Sequence, residues 1–438
     1  MSKPSLLGFG AKEYLLGVQH LLAMFGSTVL VPLITGISPA VALFTAGIGT
    51  LVFHLLTGGK VPVFLGSSFA FIAALCTVIG SKGIPYAQGG IMAAGAVYIV
   101  FAAIAYFMGA ARIRSLFPPV VTGPVIIIIG LSLSGVGVCD SLGFIIGKAD
   151  TYVFDQKALL NVCIALVTFI SMAAAMNCAH GILKLIPILI GIGAGYITCL
   201  ILMACGLYSM DFGPIAAATW LNVPYRDGFL SLPKFDLEAI VTIAPVAIVT
   251  FMEHIGDITT NGAVVGQDFF KSPGLHRTLL GDGVATLVAG FFGGPANTTY
   301  SENTGVLATT RNYNPAILRL AAVFAIVLGC VGKFGAILLT IPAPVKGGVE
   351  IMLFGMIAAI GIRTIAESKL DLTSSRNLSV MAGTFCTGLG LNAIGGISLN
   401  VGGVSLNISA LFVATAVGVL LNLLLPGRKA AKAEQQAA

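Results

Sequence analysis

Apolar segments long enough to cross a bilayer follow one another along nearly the whole chain, and this succession constrains the fold more than any single motif. A helix needs about 20 apolar residues to span the hydrocarbon core. Such segments fall near 14–34, 40–57, 61–80, 89–110, 117–138, 158–177, 183–206 and 237–258, then near 279–293, 296–309, 315–334, 341–362, 377–395 and 406–426. Charged residues make up 9% of the chain and hydrophobic residues 57%, where a soluble domain carries about 25% charged residues. The expectation is an all-α polytopic membrane protein of 14 transmembrane segments, surrounded by lipid and without a separate soluble domain.

Two of the fourteen segments are interrupted by polar runs, GSSFAF within 61–80 and NTTYSENTG within 296–309. Neither reads as one uniform helix; each is expected to hold a short strand or broken helix, near 63–69 and 296–300. Basic residues set the orientation. With fourteen spans both termini share one side, and that side collects sixteen of the 23 Lys and Arg against seven opposite. The positive-inside rule then puts both termini in the cytoplasm of a cytoplasmic (inner) membrane protein. The net charge of +6 fits this topology, and no nucleic-acid partner is expected. Residues 1–12 lead straight into a full span with no small-residue cleavage site, so no cleavable signal is expected. The eight cysteines are scattered and form no C-x-x-C pair, which predicts neither disulfides nor a metal site.

The halves echo one another. FPPVVTGPVIIIIGLSLSGVGV (117–138) laid on IPAPVKGGVEIMLFGMIAAIGI (341–362) matches at Pro118/Pro342, Val121/Val345, Gly123/Gly347, Val125/Val349, Ile127/Ile351 and Gly137/Gly361. Ser67-Ser68-Phe69 answers Thr298-Thr299-Tyr300 at a similar offset, so both interrupted segments occupy equivalent places. Seven spans per copy is an odd number, so the copies would cross the membrane in opposite senses. Inverted repeats with broken segments at matching positions point to a transport site midway through the bilayer.

Three acids stand inside this apolar sequence: Glu253, Asp257 and Glu302. A carboxylate at bilayer depth costs at least about 2.5 kcal/mol, so such residues mark a substrate or ion pathway. Asp257 is one turn after Glu253 on the same helical face. Two neighbouring carboxylates repel, which makes one of them the natural seat for a proton; Asp257 then supports coupling or caps a local break. Half-helices starting near Ala70 and Ser301 would aim backbone amides at the same region. A flat polar ring with donors and acceptors suits such a place, with Phe69 and Tyr300 as faces or walls and Glu253 and Glu302 accepting from ring N–H groups. Glu302 would alternatively only cap its half-helix. His20 is either a packed histidine or a site residue, His54 is expected at the membrane interface, and Glu350 has no assigned role. H-E-x-x-H and the phosphate-binding G-x-x-x-x-G-K-[ST] are both missing, which argues against a zinc hydrolase and against ATP-driven transport by this chain. No enzyme activity and no cofactor is expected beyond a proton as coupling ion.

QHLLAMFGSTVLVP (19–32), GSSFAFI (66–72), EHIGDIT (253–259), KSPGLHR (271–277) and GGPANTTYSENTGV (293–306) together resemble the nucleobase–ascorbate transporter family, with bacterial uracil permeases the most similar branch. The resemblance runs from about residue 12 to 426. It implies two inverted seven-segment repeats in which segments 1–4 (1–115) and 8–11 (236–338) form a core domain. Segments 5–7 (116–235) and 12–14 (339–428) would form a gate domain that dimerises, followed by a cytoplasmic tail, 429–438. It implies proton symport by movement of core against gate. Carried over by motif, Glu253 and Glu302 bond a pyrimidine ring, Phe69 and Ser301 present backbone amides, and Ser68 and Tyr300 line the pocket. Glu253 and Asp257 would carry the proton coupling, with His20, Asn303 and Phe354 in support. Three features depart from the uracil pattern: Asp257 stands where histidine is usual, the aspartate form being more usual in purine-type members; Ser301 stands where glycine is often found; and Phe354 stands where tyrosine is typical. The acid Glu302 keeps the uracil pattern against the purine one. Uracil:proton symport is therefore the expected function. A purine (xanthine-type) permease is the first alternative, and an anion transporter or channel of the same architecture is the second.

Overall fold

The protein, a computed structural model, is described over residues 9–109, 117–145, 152–222, 232–401 and 404–426. The expected tail 429–438 and the expected boundary at 115/116 lie outside the described residues. The chain opens with α1 (Ala11–Thr35) and α2 (Pro39–Leu56). A three-residue strand, β1 (Leu65–Ser67), and a 3-10 turn (Phe69–Phe71) lead into α3 (Ile72–Lys82). Next come α4 (Ile84–Met108), α5 (Pro119–Leu142), α6 (Gln156–Cys178) and α7 (Pro187–Ala204), then a short α8 (Gly213–Ala217). They are followed by α9 (Leu237–Ile243), α10 (Val246–Val265), α11 (Leu275–Phe291), β2 (Asn297–Thr299) and α12 (Ser301–Thr310). The chain closes with α13 (Pro315–Cys330), α14 (Gly332–Leu339), α15 (Ala343–Glu367), α16 (Ser375–Ala393), β3 (Ile397–Val401), β4 (Val404–Ile408) and α17 (Ala410–Leu424).

Eight described helical stretches are long and apolar enough to cross a membrane, and three shorter apolar helices, Phe69–Lys82, Pro315–Cys330 and Ala410–Leu424, accompany them. The protein is a multi-pass, mostly helical membrane protein. Both interrupted segments are strand-then-helix, as expected, with strands shorter than anticipated: 65–67 and 297–299. The expected span 237–258 is divided. Pro245 has no N–H to donate and its ring crowds the preceding turn, so α9 ends at Ile243 and α10 starts at Val246. The expected span 406–426 starts later, at Ala410, because residues up to 408 belong to a hairpin, β3–β4. Its ISLNV and VSLNI arms alternate apolar with polar residues around Gly402-Gly403, a hairpin signature, and this pair of strands was not foreseen.

Helices meet where glycine lets backbones approach. A Cβ on Gly361 would lie 2.7 Å from the Gly123 carbonyl oxygen, and one on Gly347 would lie 2.2 Å from the Ser141 amide nitrogen. Residue 123 thus faces 361 while 141 faces 347, so α5 and α15 run antiparallel. Elsewhere α13 packs on α1 and α2, and α11 packs on α2 and α4. His54, expected at the interface, is buried at 2% exposure. Its Nε2 lies 2.8 Å from the Val63 carbonyl oxygen, which closes the otherwise unpaired backbone ahead of β1.

Candidate functional site

β1 and β2 pair antiparallel, with Leu65 opposite Thr299, Gly66 opposite Thr298 and Ser67 opposite Asn297. Two backbone bonds extend the ladder, Ser68 N–H to the Ala296 carbonyl (2.9 Å) and Tyr300 N–H to the Phe64 carbonyl (3.0 Å). All six strand residues are buried. Non-helical backbone in such surroundings persists only where every polar group finds a partner, and threonines and serines of the surrounding helices supply them. The Thr50 hydroxyl takes the Leu65 N–H (2.9 Å), and the Thr286 hydroxyl donates to the Asn297 carbonyl (3.1 Å). The Ser67 hydroxyl donates to the Thr28 carbonyl (3.0 Å).

At each end of the ladder a helix starts. Phe69 opens the 3-10 turn before α3 and Ser301 opens α12. As first residues of helical turns, neither amide has an intrahelical acceptor, which leaves both amides free for a ligand. Glu302 sits in the first turn of α12, where the helix dipole favours an acid. Its Oε1 accepts a 2.6 Å bond from the Ser27 hydroxyl of α1.

Glu253 and Asp257 project from α10, which packs against both α12 and β2. Thr299 on β2 donates its hydroxyl to Asp257 Oδ2 at 2.8 Å, so Asp257 is tied to the ladder. Among the described residues no protein group donates a hydrogen bond to Glu253, which lies within the fields of Glu302 and Asp282. One acid is pinned by α1, one by β2, and the third is open. The arrangement offers carboxylates that can accept hydrogen bonds and two helix-start amides that can donate them.

Other predicted residues take the following places. Asn303 is fully buried and donates from Nδ2 to the His20 carbonyl (3.0 Å) and to His20 Nδ1 (3.1 Å), so these two brace α12 against α1. Phe69 is 9% exposed and stands edge-to-face with buried Phe354 of α15, ring centroids 6.4 Å apart. Ser68 is buried and its hydroxyl has no partner. Ser301 is exposed. Tyr300 behaves as a strut: its hydroxyl donates to the Ser67 carbonyl (2.9 Å) and receives the Thr28 hydroxyl (3.3 Å). Its ring covers Gly66, where a Cβ would come within 2.4 Å of the ring carbon Cζ. A cavity of about 270 Å³ opens beside Phe69, between α3, α5 and the β4 end of the hairpin; of the predicted site residues it touches Phe69 alone.

Sequence reasoning missed several members. Ser27 and Thr28 lie within QHLLAMFGSTVLVP, and their being polar in an apolar span was the available signal. His254, between the two acids of α10, turns the other way: Nδ1 lies 2.7 Å from Asp282 Oδ2 and Nε2 lies 2.9 Å from the Thr278 hydroxyl, all buried. This clamp fixes α10 on α11.

A model of the Permease family matches residues 11–397. Among curated proteins, the "Probable uracil permease" of Pasteurella multocida (strain Pm70) is 44% identical over 419 residues, covering 96% of this chain and 95% of its own. The uracil permease of Bacillus caldolyticus is 44% identical over 415 residues (94% and 92%), and that of Escherichia coli (strain K12) 38% over 409 (93% and 90%). Among solved structures, the transmembrane domain of the cyanobacterium bicarbonate transporter BicA aligns with a TM-score of 0.62 at 14% identity, covering 93% of this chain and 96% of that one. SLC26A9 aligns with a TM-score of 0.67 at 12% identity, over 94% and 64%. These two likenesses are of fold alone.

Proposed function

The chain belongs to the Permease family, and from this premise we propose that it carries uracil across the cytoplasmic membrane together with a proton. The observation that carries the reading is the pairing of an open acid, Glu253, with a pinned acid, Glu302, beside two helix starts on a buried two-stranded ladder. Uracil offers two ring N–H donors and two carbonyl acceptors. Glu253 and Glu302 take the N–H groups, and the Phe69 and Ser301 amides take carbonyls. Phe69 covers the ring, with Phe354 behind it. Tyr300, Ser68, His20 and Asn303 hold these groups in position. Curated relatives named uracil permeases, alignable over nearly the whole chain, support the substrate.

Proton coupling follows from the open acid. Two carboxylates facing one ligand repel, so a neutral Glu253 both relieves the repulsion and completes the donor–acceptor pattern toward the base. Asp257, tied to Thr299, tunes Glu253 through its charge. The movement is of a core against a gate. The division of contacts supports this: α1–α4 pack with α10–α13, whereas α5–α7 pack with α15–α17. The 224-residue echo between α5 and α15, and the contact of Gly123 with Gly361 on one side and of 137–141 with 347–351 on the other, support inverted repeats of seven segments. Termini in the cytoplasm and a dimer through the gate complete the proposal.

Asp257 in place of histidine favours a second reading within the family, a purine substrate. An anion carrier, suggested by the folds of BicA and SLC26A9, is opposed by the charge: Glu253, Asp257, Glu302 and Asp282 lie within one another's fields. The deciding experiment is radiolabelled uracil uptake by the purified protein in liposomes, competed by unlabelled nucleobases, with and without a protonophore. Uracil-inhibited, protonophore-sensitive uptake is expected. Competition by xanthine but not uracil would transfer the assignment to purines, and uptake indifferent to the protonophore would remove the coupling.

A further inference from the structure

Besides the acids of the candidate site and the Asp282 clamp, one more acid is buried in the bundle, and among the described residues its carboxylate has no hydrogen-bond partner. Glu350 on α15 is 0% exposed, and neither carboxylate oxygen has a hydrogen-bond partner. It sits where helices are pressed together. A Cβ on Gly137 of α5 would come within 3.2 Å of Glu350 Cβ. One residue pair before it, a Cβ on Gly348 would come within 2.4 Å of the Ala165 carbonyl oxygen of α6. A carboxylate stripped of both water and protein donors is tolerated only as the neutral acid.

One turn before Glu350 on the same helix face stands Lys346, and it is engaged elsewhere: its Nζ is 3.1 Å from Asp140 Oδ2 at the end of α5. Both of those side chains reach solvent, at 17% and 23% exposure. One turn after Glu350 stands Phe354, edge-on to Phe69 at the head of α3. Lys346, Glu350 and Phe354 thus form an i, i+4, i+8 row that links a solvent-touching ion pair to the aromatic beside the ligand site. The charged groups facing Glu350 are Asp140 from α5 and Lys346 from its own helix, and the Cys76 thiol faces it from α3. From α6, Ala165 and Thr168 pack on the neighbouring Gly348. Two acids compete for one ammonium.

We propose that Glu350 is a second proton-carrying acid of the transport cycle, protonated while α3 lies close to α15 as here. When the helices part, Glu350 releases its proton to water and takes the Lys346 ammonium from Asp140, which becomes solvated; closure reverses both steps. This rests on the reading that the protein transports by moving α1–α4 against α5 and α15.

The test compares purified full-length wild type, E350Q and D140N by infrared difference spectroscopy at neutral pH. The wild type is expected to show a protonated-carboxyl absorption that E350Q lacks, and D140N, which frees Lys346 for Glu350, weakens the same band. An E350Q spectrum identical to wild type in that region overturns the proposal, as does an undiminished band in D140N. In liposomes, E350Q is expected to keep uracil exchange and to alter the pH profile of net uptake, with the part that Glu253 carries remaining; an unchanged pH profile also overturns it. A wild type that moves no uracil refutes the transport reading instead, and the spectra still decide whether Glu350 holds a proton.

Discussion

Replacing Ser27 by alanine removes a single hydroxyl, and the structure sets how much that should matter. The Ser27 oxygen lies 2.6 Å from Glu302 Oε1 and is fully buried, within the short range of charge-assisted O–H···O⁻ bonds. A hydrogen bond to a charged group contributes about 1.5–3 kcal/mol net. From α1 the Glu302 carboxylate is held by this bond, and from its own helix by its backbone amide. Without it the carboxylate samples other rotamers, and the energy of fixing it is charged to ligand binding. The expected result for Ser27→Ala is a uracil dissociation constant raised about 10- to 150-fold, the factor that corresponds to about 1.5–3 kcal/mol. The assay is equilibrium binding of labelled uracil to purified protein in detergent, with thermal unfolding of the same samples as the control. Unchanged affinity in Ser27→Ala, alongside a large loss in Glu302→Gln, would refute the idea that α1 positions the acid. A lowered unfolding temperature at unchanged affinity would assign Ser27 to stability alone.

Three further outcomes are expected. Glu253→Gln should bind uracil up to about tenfold more weakly, since a neutral carboxyl hydrogen bond of about 0.5–1.5 kcal/mol gives way to a carboxamide that cannot release a proton, and should not accumulate it in response to a pH gradient; wild-type accumulation would remove Glu253 from the coupling. Tyr300→Phe leaves the buried Ser67 carbonyl without its donor, so unfolding should be easier by about 1–3 kcal/mol, while uracil affinity stays near wild type; the reverse pattern would make Tyr300 a ligand contact. Asp236 caps α9 through the Ala239 amide (3.2 Å) and bonds Lys82, and Lys82 first of all holds its carboxyl below the ordinary range. Its contribution is therefore present above the unfolded-state value and disappears as pH falls through the lower folded value. Asp236→Ala should cost about 1 kcal/mol at neutral pH and Asp236→Asn, which still caps, about half of that. Both differences in unfolding temperature from wild type should shrink in acid, and a constant offset would contradict the ion pair.

The two broken segments were legible because a polar run in an apolar span is a local anomaly, and GSSFAF and NTTYSENTG stand out within the chain itself. The acids Glu253, Asp257 and Glu302 were legible for the same reason. Their partners were not. Serine and threonine occur in apolar helices wherever they can bond back to their own turn, as Thr45 does to Val41 (2.9 Å), so the polarity of Ser27 and Thr299 is a signal that does not say which acid each one holds. His54 looked interfacial because it falls at a span's end, yet the backbone entering β1 needed a partner and drew it inside.

Residue chemistry spaced along the chain determined the membrane character, the interruptions in two of the apolar segments and the acids beside those interruptions, since each is a matter of local composition. Only the tertiary structure decided that β1 pairs with β2, Gly66 opposite Thr298, that the Ser27 hydroxyl reaches Glu302, that His254 turns toward Asp282, and that among the described residues Glu350 is sealed without a hydrogen-bond partner. Those outcomes depend on which helix faces meet, and that is set by glycine-permitted backbone approach and by the need of every buried polar group for a partner, neither of which is readable one segment at a time.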